Sequence, residues 1–175
     1  MKQKAAWIRR CLPLLLIGLC IASFGAAWAH SAIEPLSRPE QEWWAKRHNA
    51  ILERVQQGNV DLIMLGDSIN HGWEGAGKPV WDKYYAHRNA VNMGFSGDRT
   101  QHVLWRIDNG EFDGISPKLI CLMIGTNNFK DNTAEEIGDG ICAIIKKLRE
   151  KLPQTQLLIK AIFPRNEKPD DVRAK

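Results

Sequence analysis

Three short polar segments carry residue types suited to acyl-group chemistry: "GDSI" at 66–69, "GFSGDRT" at 94–100 and "GTNN" at 125–128. Acyl transfer needs a nucleophile and hydrogen-bond donors aimed at the oxyanion that develops. Ser68 offers a hydroxyl, Gly97 a backbone N–H that no side chain shields, and Asn127 an uncharged side-chain N–H. Each segment is weak by itself, and Ser68 taken alone is better explained as a helix N-cap.

The residues around Ser68 have both functional and structural interpretations. Asp67 is best explained as an acceptor for nearby backbone N–H groups in the turn. His71 follows Ser68 by three residues, so a helix would place both on one face, with His71 lining a crevice or facing solvent. Trp73 could form a substrate wall, although core or loop packing explains it as well. Asp67, His71 and Trp73 are therefore candidate substrate-binding residues.

Hydrophobic patterns predict the elements that would position these segments. Runs of apolar residues predict strands at 60–65, 90–95, 119–124 and 156–163. Apolar residues that recur about every 3.6 positions predict helices at 40–57, 100–109 and 133–152. The first strand is nearly all apolar, as in a parallel sheet buried on both faces. Thr133 and Glu136 fit a capping box at the start of the last helix.

Alternating strands and helices predict a doubly wound α/β domain. In such domains ligands bind beyond the carboxyl ends of the strands. The three polar segments each follow one of the first three predicted strands, so we expect them to meet there. A short helix at 100–109 would carry His102 in a surface or capping position.

The three segments together resemble the SGNH, or GDSL, hydrolase family. "GDSI" is similar to its first block, "GFSGDRT" to its second and "IGTNN" to its third. The stretches "GDRTQHVLWRIDNGEF" and "AIFPRNEKP" resemble the branch that contains the catalytic subunits of platelet-activating factor acetylhydrolase. The resemblance runs from about residue 43 to 175.

This resemblance implies a flavodoxin-like three-layer α/β/α sandwich with a parallel sheet. It implies ester hydrolysis through an acyl-serine, with Ser68 as nucleophile and Gly97 and Asn127 as oxyanion donors, and with no metal or organic cofactor. The branch suggests small acyl groups, acetyl above all, on lipids or sugars. The acyl and alcohol specificity and the oligomeric state are left open.

The sequence departs from the family pattern at its fourth block, Asp-x-x-His. No Asp in the 175 residues has a His three positions later. We expect a fifth strand and the loop carrying that pair to be missing, and residues 1–175 alone to be nearly inactive, since Ser68 would lack its base. Two alternatives stay open: a non-catalytic exported protein that binds acylated sugars or lipids, and an inactive fragment.

The N-terminus predicts export. Lys2, Lys4, Arg9 and Arg10 precede an apolar stretch, and "AWA" at 27–29 supplies small residues at a signal-peptidase site. We expect a signal peptide at 1–29, cleavage after Ala29, and a periplasmic or secreted domain at 30–175 with no membrane span after cleavage.

Charge and cysteine content further narrow the classes of molecule that we expect the protein to bind. Four of the 24 basic residues but none of the 20 acidic ones lie in 1–29, so the remainder is neutral and nucleic acid is not an expected partner. Cys121 and Cys142 are expected to be free, buried thiols, and their spacing predicts no metal site.

Overall fold

A computed structural model describes residues 30–164. Its centre is a parallel sheet of four strands in the order β2-β1-β3-β4. The strands are β1 (Leu62–Gly66), β2 (Ala90–Gly94), β3 (Leu119–Met123) and β4 (Gln156–Ile159). The α/β class and the parallel sheet are confirmed, and this order is the one that flavodoxin-like folds use for their first four strands.

The described residues contain five α-helices, one before β1 and four in the connections between strands. They are α1 (Glu42–Gln56), α2 (Ser68–His71), α3 (Lys78–Tyr84), α4 (Thr100–Asp108) and α5 (Ala134–Lys151), and 3-10 turns lie at Ser31–Ile33, Gly72–Glu74, Ala86–Arg88 and Thr126–Asn128. The three predicted helices correspond to α1, α4 and α5. The short α2 and α3 fill the connection between β1 and β2.

The main hydrophobic core lies on one face of the sheet. Ile63 of β1 pairs in register with Val91 of β2 and Ile120 of β3, and all three are buried. Helices α1, α4 and α5 cover this face with buried side chains, among them Trp44, Ile51, Leu104, Ile107, Ile144 and Leu148. Because adjacent residues of a strand face opposite sides, burial of Met64 as well shows that β1 is covered on both faces.

Helix α5 begins with the predicted capping box. Thr133 Oγ1 accepts from the Glu136 N–H at 3.2 Å, and Glu136 Oε2 accepts from the Thr133 N–H at 3.0 Å. Cys121 and Cys142 are both free, as expected. The prediction that Cys142 is buried was wrong, however. Cys142 lies on α5 outside the buried stripe of Ile144 and Leu148 and faces solvent.

The two edges of the described sheet differ. Along β2, Arg47 of α1 donates to the backbone carbonyls of Gly94 at 2.8 Å and Asn92 at 3.1 Å. The Asn92 side chain accepts from the Gly94 N–H at 3.0 Å. Along β4, Leu158 is 51% exposed and Ile159 is 40% exposed. Three outward backbone groups of β2 are thus bonded to side chains, whereas β4 presents apolar side chains to solvent.

The expected signal peptide at 1–29 lies outside the described residues, and so does 165–175. Within 30–164 no helix combines the length and hydropathy that crossing a bilayer requires.

Candidate active site

The carboxyl ends of three adjacent strands bring the three polar segments together. Gly66 at the end of β1 pairs in register with Gly94 of β2 and with Met123 of β3. Ser68 lies two residues beyond Gly66, Gly97 three beyond Gly94, and Asn127 four beyond Met123. Because β1 lies between β2 and β3, the Ser68 turn lies between the other two loops. The three segments follow neighbouring strand ends, as the sequence predicted.

Ser68 occupies a tight strand-to-helix turn. It is solvent-exposed and is the first residue of α2, where backbone N–H groups have no partner within the helix. Asp67 is fully buried, and its Oδ1 accepts from the Ile69 N–H at 3.0 Å, as expected of a turn-stabilising acceptor. The buried Asn70 donates from Nδ2 to the Leu65 carbonyl at 2.7 Å, which fixes α2 to the end of β1.

Two glycines allow α2 to lie against the strand ends. A Cβ on Gly94 would lie 2.2 Å from the His71 backbone nitrogen, and one on Gly66 would lie 2.1 Å from the Met123 carbonyl oxygen. Both distances are far below van der Waals contact. The Ser68 turn can therefore lie against the ends of β1 and β2 only because these positions lack side chains.

A buried carboxylate, that of Asp98, holds the Gly97 loop in place. Gly97 has φ +77°, a left-handed conformation that favours glycine. The next residue, Asp98, is fully buried and accepts hydrogen bonds from Trp44 Nε1 at 2.8 Å, Arg38 Nη1 at 3.0 Å and Arg106 Nε at 3.0 Å. Arg106 continues to Glu111 at 2.6 Å, and Glu111 to His48 at 2.8 Å.

The third loop is linked directly to the second. Asn127 Nδ2 donates to the backbone carbonyl of Asp98 at 2.9 Å, and the amide carries a second N–H besides this one. Asn128, which sequence reasoning did not single out, is fully buried. Its Oδ1 accepts from the Thr100 N–H at 3.1 Å, and its Nδ2 donates to Gln101 Oε1 at 3.0 Å, so it joins this loop to the start of α4.

His71 forms a second link between loops. Its Nδ1 lies 2.9 Å from Ser96 Oγ and 3.3 Å from the Ser96 backbone nitrogen. Its ring stacks on Trp43, with 6.1 Å between centroids. Partial burial and the positive charge of Arg47 lower the pKa of His71, against the opposing effect of Glu74. The ring lines the site, but its contact with substrate stays a prediction.

Trp73 packs among aromatic rings beside the site. Its ring lies 5.4 Å from that of Tyr85 and 6.2 Å from that of Trp81, measured between centroids. Loop packing thus accounts for its position, and a role in substrate binding stays a prediction.

Sequence comparison assigns the family. The profile described as "GDSL-like Lipase/Acylhydrolase family" matches residues 64–175, which include all three polar segments. The chain belongs to this GDSL-like family. The resemblance seen in the three blocks is thereby confirmed.

The curated relatives that this GDSL-like chain matches include proteins named as subunits of platelet-activating factor acetylhydrolase IB. The chain is 36% identical over 132 residues to the "Platelet-activating factor acetylhydrolase IB subunit beta homolog" of Drosophila melanogaster, an alignment that covers 75% of this chain and 57% of the relative. It is equally identical to the human "Platelet-activating factor acetylhydrolase IB subunit alpha2", covering 75% and 56%. The chain thus spans little more than half the length of the curated relatives it matches.

Solved structures agree on the fold. A GDSL-like lipase from Bacteroides thetaiotaomicron superposes with a TM-score of 0.54 at 16% identity, covering 76% of this chain and 65% of that chain. A protein from Streptococcus pneumoniae superposes with a TM-score of 0.55 at 25% identity, covering 72% and 59%.

Within residues 30–164 no histidine is hydrogen-bonded to Ser68 as a catalytic base would be. His102 is buried, and its Nδ1 accepts from the Arg99 N–H at 2.9 Å, so the capping expectation is confirmed and the surface position was wrong. Burial, helped by the charges of Arg38, Arg99 and Arg106, lowers the pKa of His102 to about 3. His48 is hydrogen-bonded to Glu111 and His71 to Ser96.

Within 30–164 no group of three or more His, Cys, Asp or Glu is placed to hold a metal ion.

Proposed function

We propose that this GDSL-like protein is an exported serine esterase that removes small acyl groups, acetyl first among them, from lipids or carbohydrates. The observation that carries the proposal is the convergence of Ser68, Gly97 and Asn127 beyond three register-matched strand ends. The names of the curated relatives support acetyl as the acyl group.

In the proposed reaction, Ser68 Oγ attacks the ester carbonyl carbon as its proton passes to a base. The oxyanion of the tetrahedral intermediate accepts from the N–H groups of Ser68 and Gly97 and from Asn127 Nδ2. The carbon–oxygen bond to the alcohol then breaks, and the leaving alkoxide takes up the proton. Water attacks the acyl-Ser68 ester, which releases the carboxylic acid and restores the serine.

The electrostatic part of this mechanism follows from the site. Ser68 begins a helical turn and Gly97 lies within the turn that follows β2, so their N–H groups are not needed by a helix or strand ladder. Asn127 offers an N–H donor and carries no charge that could itself attract the substrate. No residue is assigned as the base. The histidines within residues 30–164 whose hydrogen-bond partners are given above bond to groups other than Ser68.

Export is part of the proposal and rests on residues 1–29. Fractionation of the producing cells should recover the protein outside the cytoplasm, and N-terminal sequencing should begin at His30. Recovery in the cytoplasm with Met1 retained would contradict export while leaving the esterase proposal intact.

The test of catalysis uses the protein purified from its source. We expect it to hydrolyse p-nitrophenyl acetate faster than the octanoate ester, and a fluorophosphonate to label Ser68, as located by peptide mass spectrometry. Ser68→Ala should abolish both. The matched control is Ser116→Ala, since Ser116 is exposed but precedes β3 at the opposite end of the sheet.

Two outcomes would reject the esterase. Hydrolysis that survives Ser68→Ala would place the reaction elsewhere. Absence of labelling, combined with binding of an acetylated sugar or lipid that survives Ser68→Ala, would favour the exported binding protein.

A further inference from the structure

The peptide between Ser96 and Gly97 is held from two sides. Ser96 directly precedes the expected oxyanion donor, and three of its polar atoms have partners. His71 Nδ1 lies 2.9 Å from its Oγ and 3.3 Å from its backbone nitrogen, and Arg38 Nη1 donates to its carbonyl at 2.8 Å. The residue beside the donor is therefore fixed by side chains from two other segments.

The Arg38 contact sets the direction of the Gly97 N–H. The atoms of a trans peptide are coplanar, and its N–H points opposite to its C=O. The Ser96 carbonyl points at the Arg38 guanidinium, so the Gly97 N–H points away from that group. Arg38 itself is fixed by Asp98 at 3.0 Å and by Gln41 at 2.5 Å.

The His71 contact fixes the other end of the same residue. A backbone N–H can only donate, so Nδ1 must be unprotonated to accept from Ser96, and the neutral ring carries its proton on Nε2. His71 also ends α2, the helix that Ser68 begins. The contact thus joins the nucleophile turn to the oxyanion loop.

The surroundings keep both holding groups in place. Trp43 stacks on His71, and the Arg38 guanidinium carbon lies 5.4 Å from the centroid of the Trp43 ring. Two charged groups face His71: Glu74, with Oε2 at 4.0 Å from Nε2, and Arg47, which pairs with Glu74 at 2.6 Å. Partial burial and the positive charge of Arg47 lower the pKa of His71 against the opposing effect of Glu74, which favours the neutral ring.

We infer that Arg38 and His71 are positioning residues that hold the Ser96–Gly97 peptide so that the Gly97 N–H faces the oxyanion of a substrate bound at Ser68. This inference rests on the proposed function, since it assigns the two residues to the same reaction. Neither side chain touches the reacting atoms in this scheme.

The first experiment replaces the acceptor while keeping the ring. His71→Phe retains an aromatic ring against Trp43 but cannot accept from Ser96, whereas His71→Gln restores a neutral acceptor. Since one net hydrogen bond is lost, kcat on p-nitrophenyl acetate should fall about tenfold in His71→Phe with KM nearly unchanged, and recover to within about threefold in His71→Gln. The control is His87→Phe, at an exposed histidine of another turn.

The second readout does not depend on turnover. The ¹⁵N order parameter of the Gly97 amide should be near the value of about 0.85 typical of rigid backbone in the parent and should fall toward about 0.6 in His71→Phe. Arg38→Lys keeps a positive charge beside Asp98 but loses the planar fork, and we expect a similar fall. Melting temperatures measured alongside show whether a variant has lost its fold.

The outcomes separate this inference from the proposed function. A lower Gly97 order parameter together with a kcat loss that Gln relieves supports it. Turnover that depends on Ser68 but is unaffected by His71→Phe, or an unchanged order parameter, overturns it and leaves the esterase standing. Absence of Ser68-dependent turnover in the protein purified from its source overturns the esterase and this inference together.

Discussion

The side-chain amide of Asn127 donates a 2.9 Å hydrogen bond to the backbone carbonyl of Asp98. Asn127 follows β3 and Asp98 follows β2, and β1 lies between these two strands. The bond therefore spans the carboxyl end of the central strand, beyond which Ser68 lies. It joins one expected oxyanion donor, Asn127, to the neighbour of the other, Gly97, so the two donors are positioned together.

Removal of the Asn127 amide should reduce catalysis far more than stability. In the proposed mechanism Asn127→Ala deletes an oxyanion donor, and loss of one such donor typically costs about 10²–10³ in kcat. Initial rates on an acetyl ester measure the effect. Lys130→Ala, at an exposed position of the same loop, is the control. Equal rates for the two variants would exclude Asn127 from the oxyanion site.

Asp98→Asn should destabilise the fold. The substitution removes the negative charge that Arg38 and Arg106 share in a buried position, and breaking a buried pair in this way typically costs about 3–5 kcal/mol. Urea unfolding gives the change in the free energy of unfolding. Asp82→Asn breaks only the exposed pair with Lys78, at 2.7 Å, and should change stability by less than about 1 kcal/mol. A loss at Asp98 no larger than at Asp82 would show that the buried charges need no compensation.

His102 should make stability fall with acidification. Its pKa is about 3 in the folded protein against 6.5 for an ordinary histidine, so the unfolded chain binds an extra proton between those values. The free energy of unfolding should therefore fall as pH drops from about 6.5 toward 3, by about 1.4 kcal/mol per pH unit from this one group.

Substitution isolates that contribution. His102→Gln keeps a neutral acceptor for the Arg99 N–H but does not titrate, so unfolding free energies measured between pH 6.5 and 5 should depend less steeply on pH. His87→Gln, at an exposed position, is the control. The same slope in the parent and in His102→Gln would contradict the prediction.

Gly94→Ala should disturb the Ser68 turn. Its methyl group would lie 2.2 Å from the His71 backbone nitrogen, and overpacking typically costs about 1–3 kcal/mol. Gly138→Ala on α5 meets nothing within 4 Å and should stabilise the helix by about 1 kcal/mol. Thermal unfolding of both variants measures the contrast. A neutral Gly94→Ala would mean that α2 can move without cost.

The sequence predicted that the three polar segments would lie at one edge of the sheet, because local signals were strong there. The apolar runs of β1, β2 and β3 end in glycine-rich polar segments, and parallel strands bring such ends to one edge. The capping box at Thr133 needed only a four-residue pattern. Strand ends were less exact, since β4 stops at Ile159 rather than 163.

The buried polar contacts could not be predicted in this way. Asp98 meets Trp44 from 54 residues away, and Asn128 meets Thr100 from 28 residues away. Such partners are set by the packing of α1 and α4 against the sheet, not by spacing along the chain. Exposure of Cys142 likewise depends on which side of α5 the sheet covers.

The occupied edge of β2 also limits how the protein can associate with other molecules. Arg47 takes the outward carbonyls of Asn92 and Gly94, and the Asn92 side chain takes the outward N–H of Gly94. A strand of another molecule that approached β2 would find these three backbone groups already bonded. Edge-to-edge pairing along β2 would first have to break the Arg47 and Asn92 contacts, so these two side chains protect this edge against aggregation.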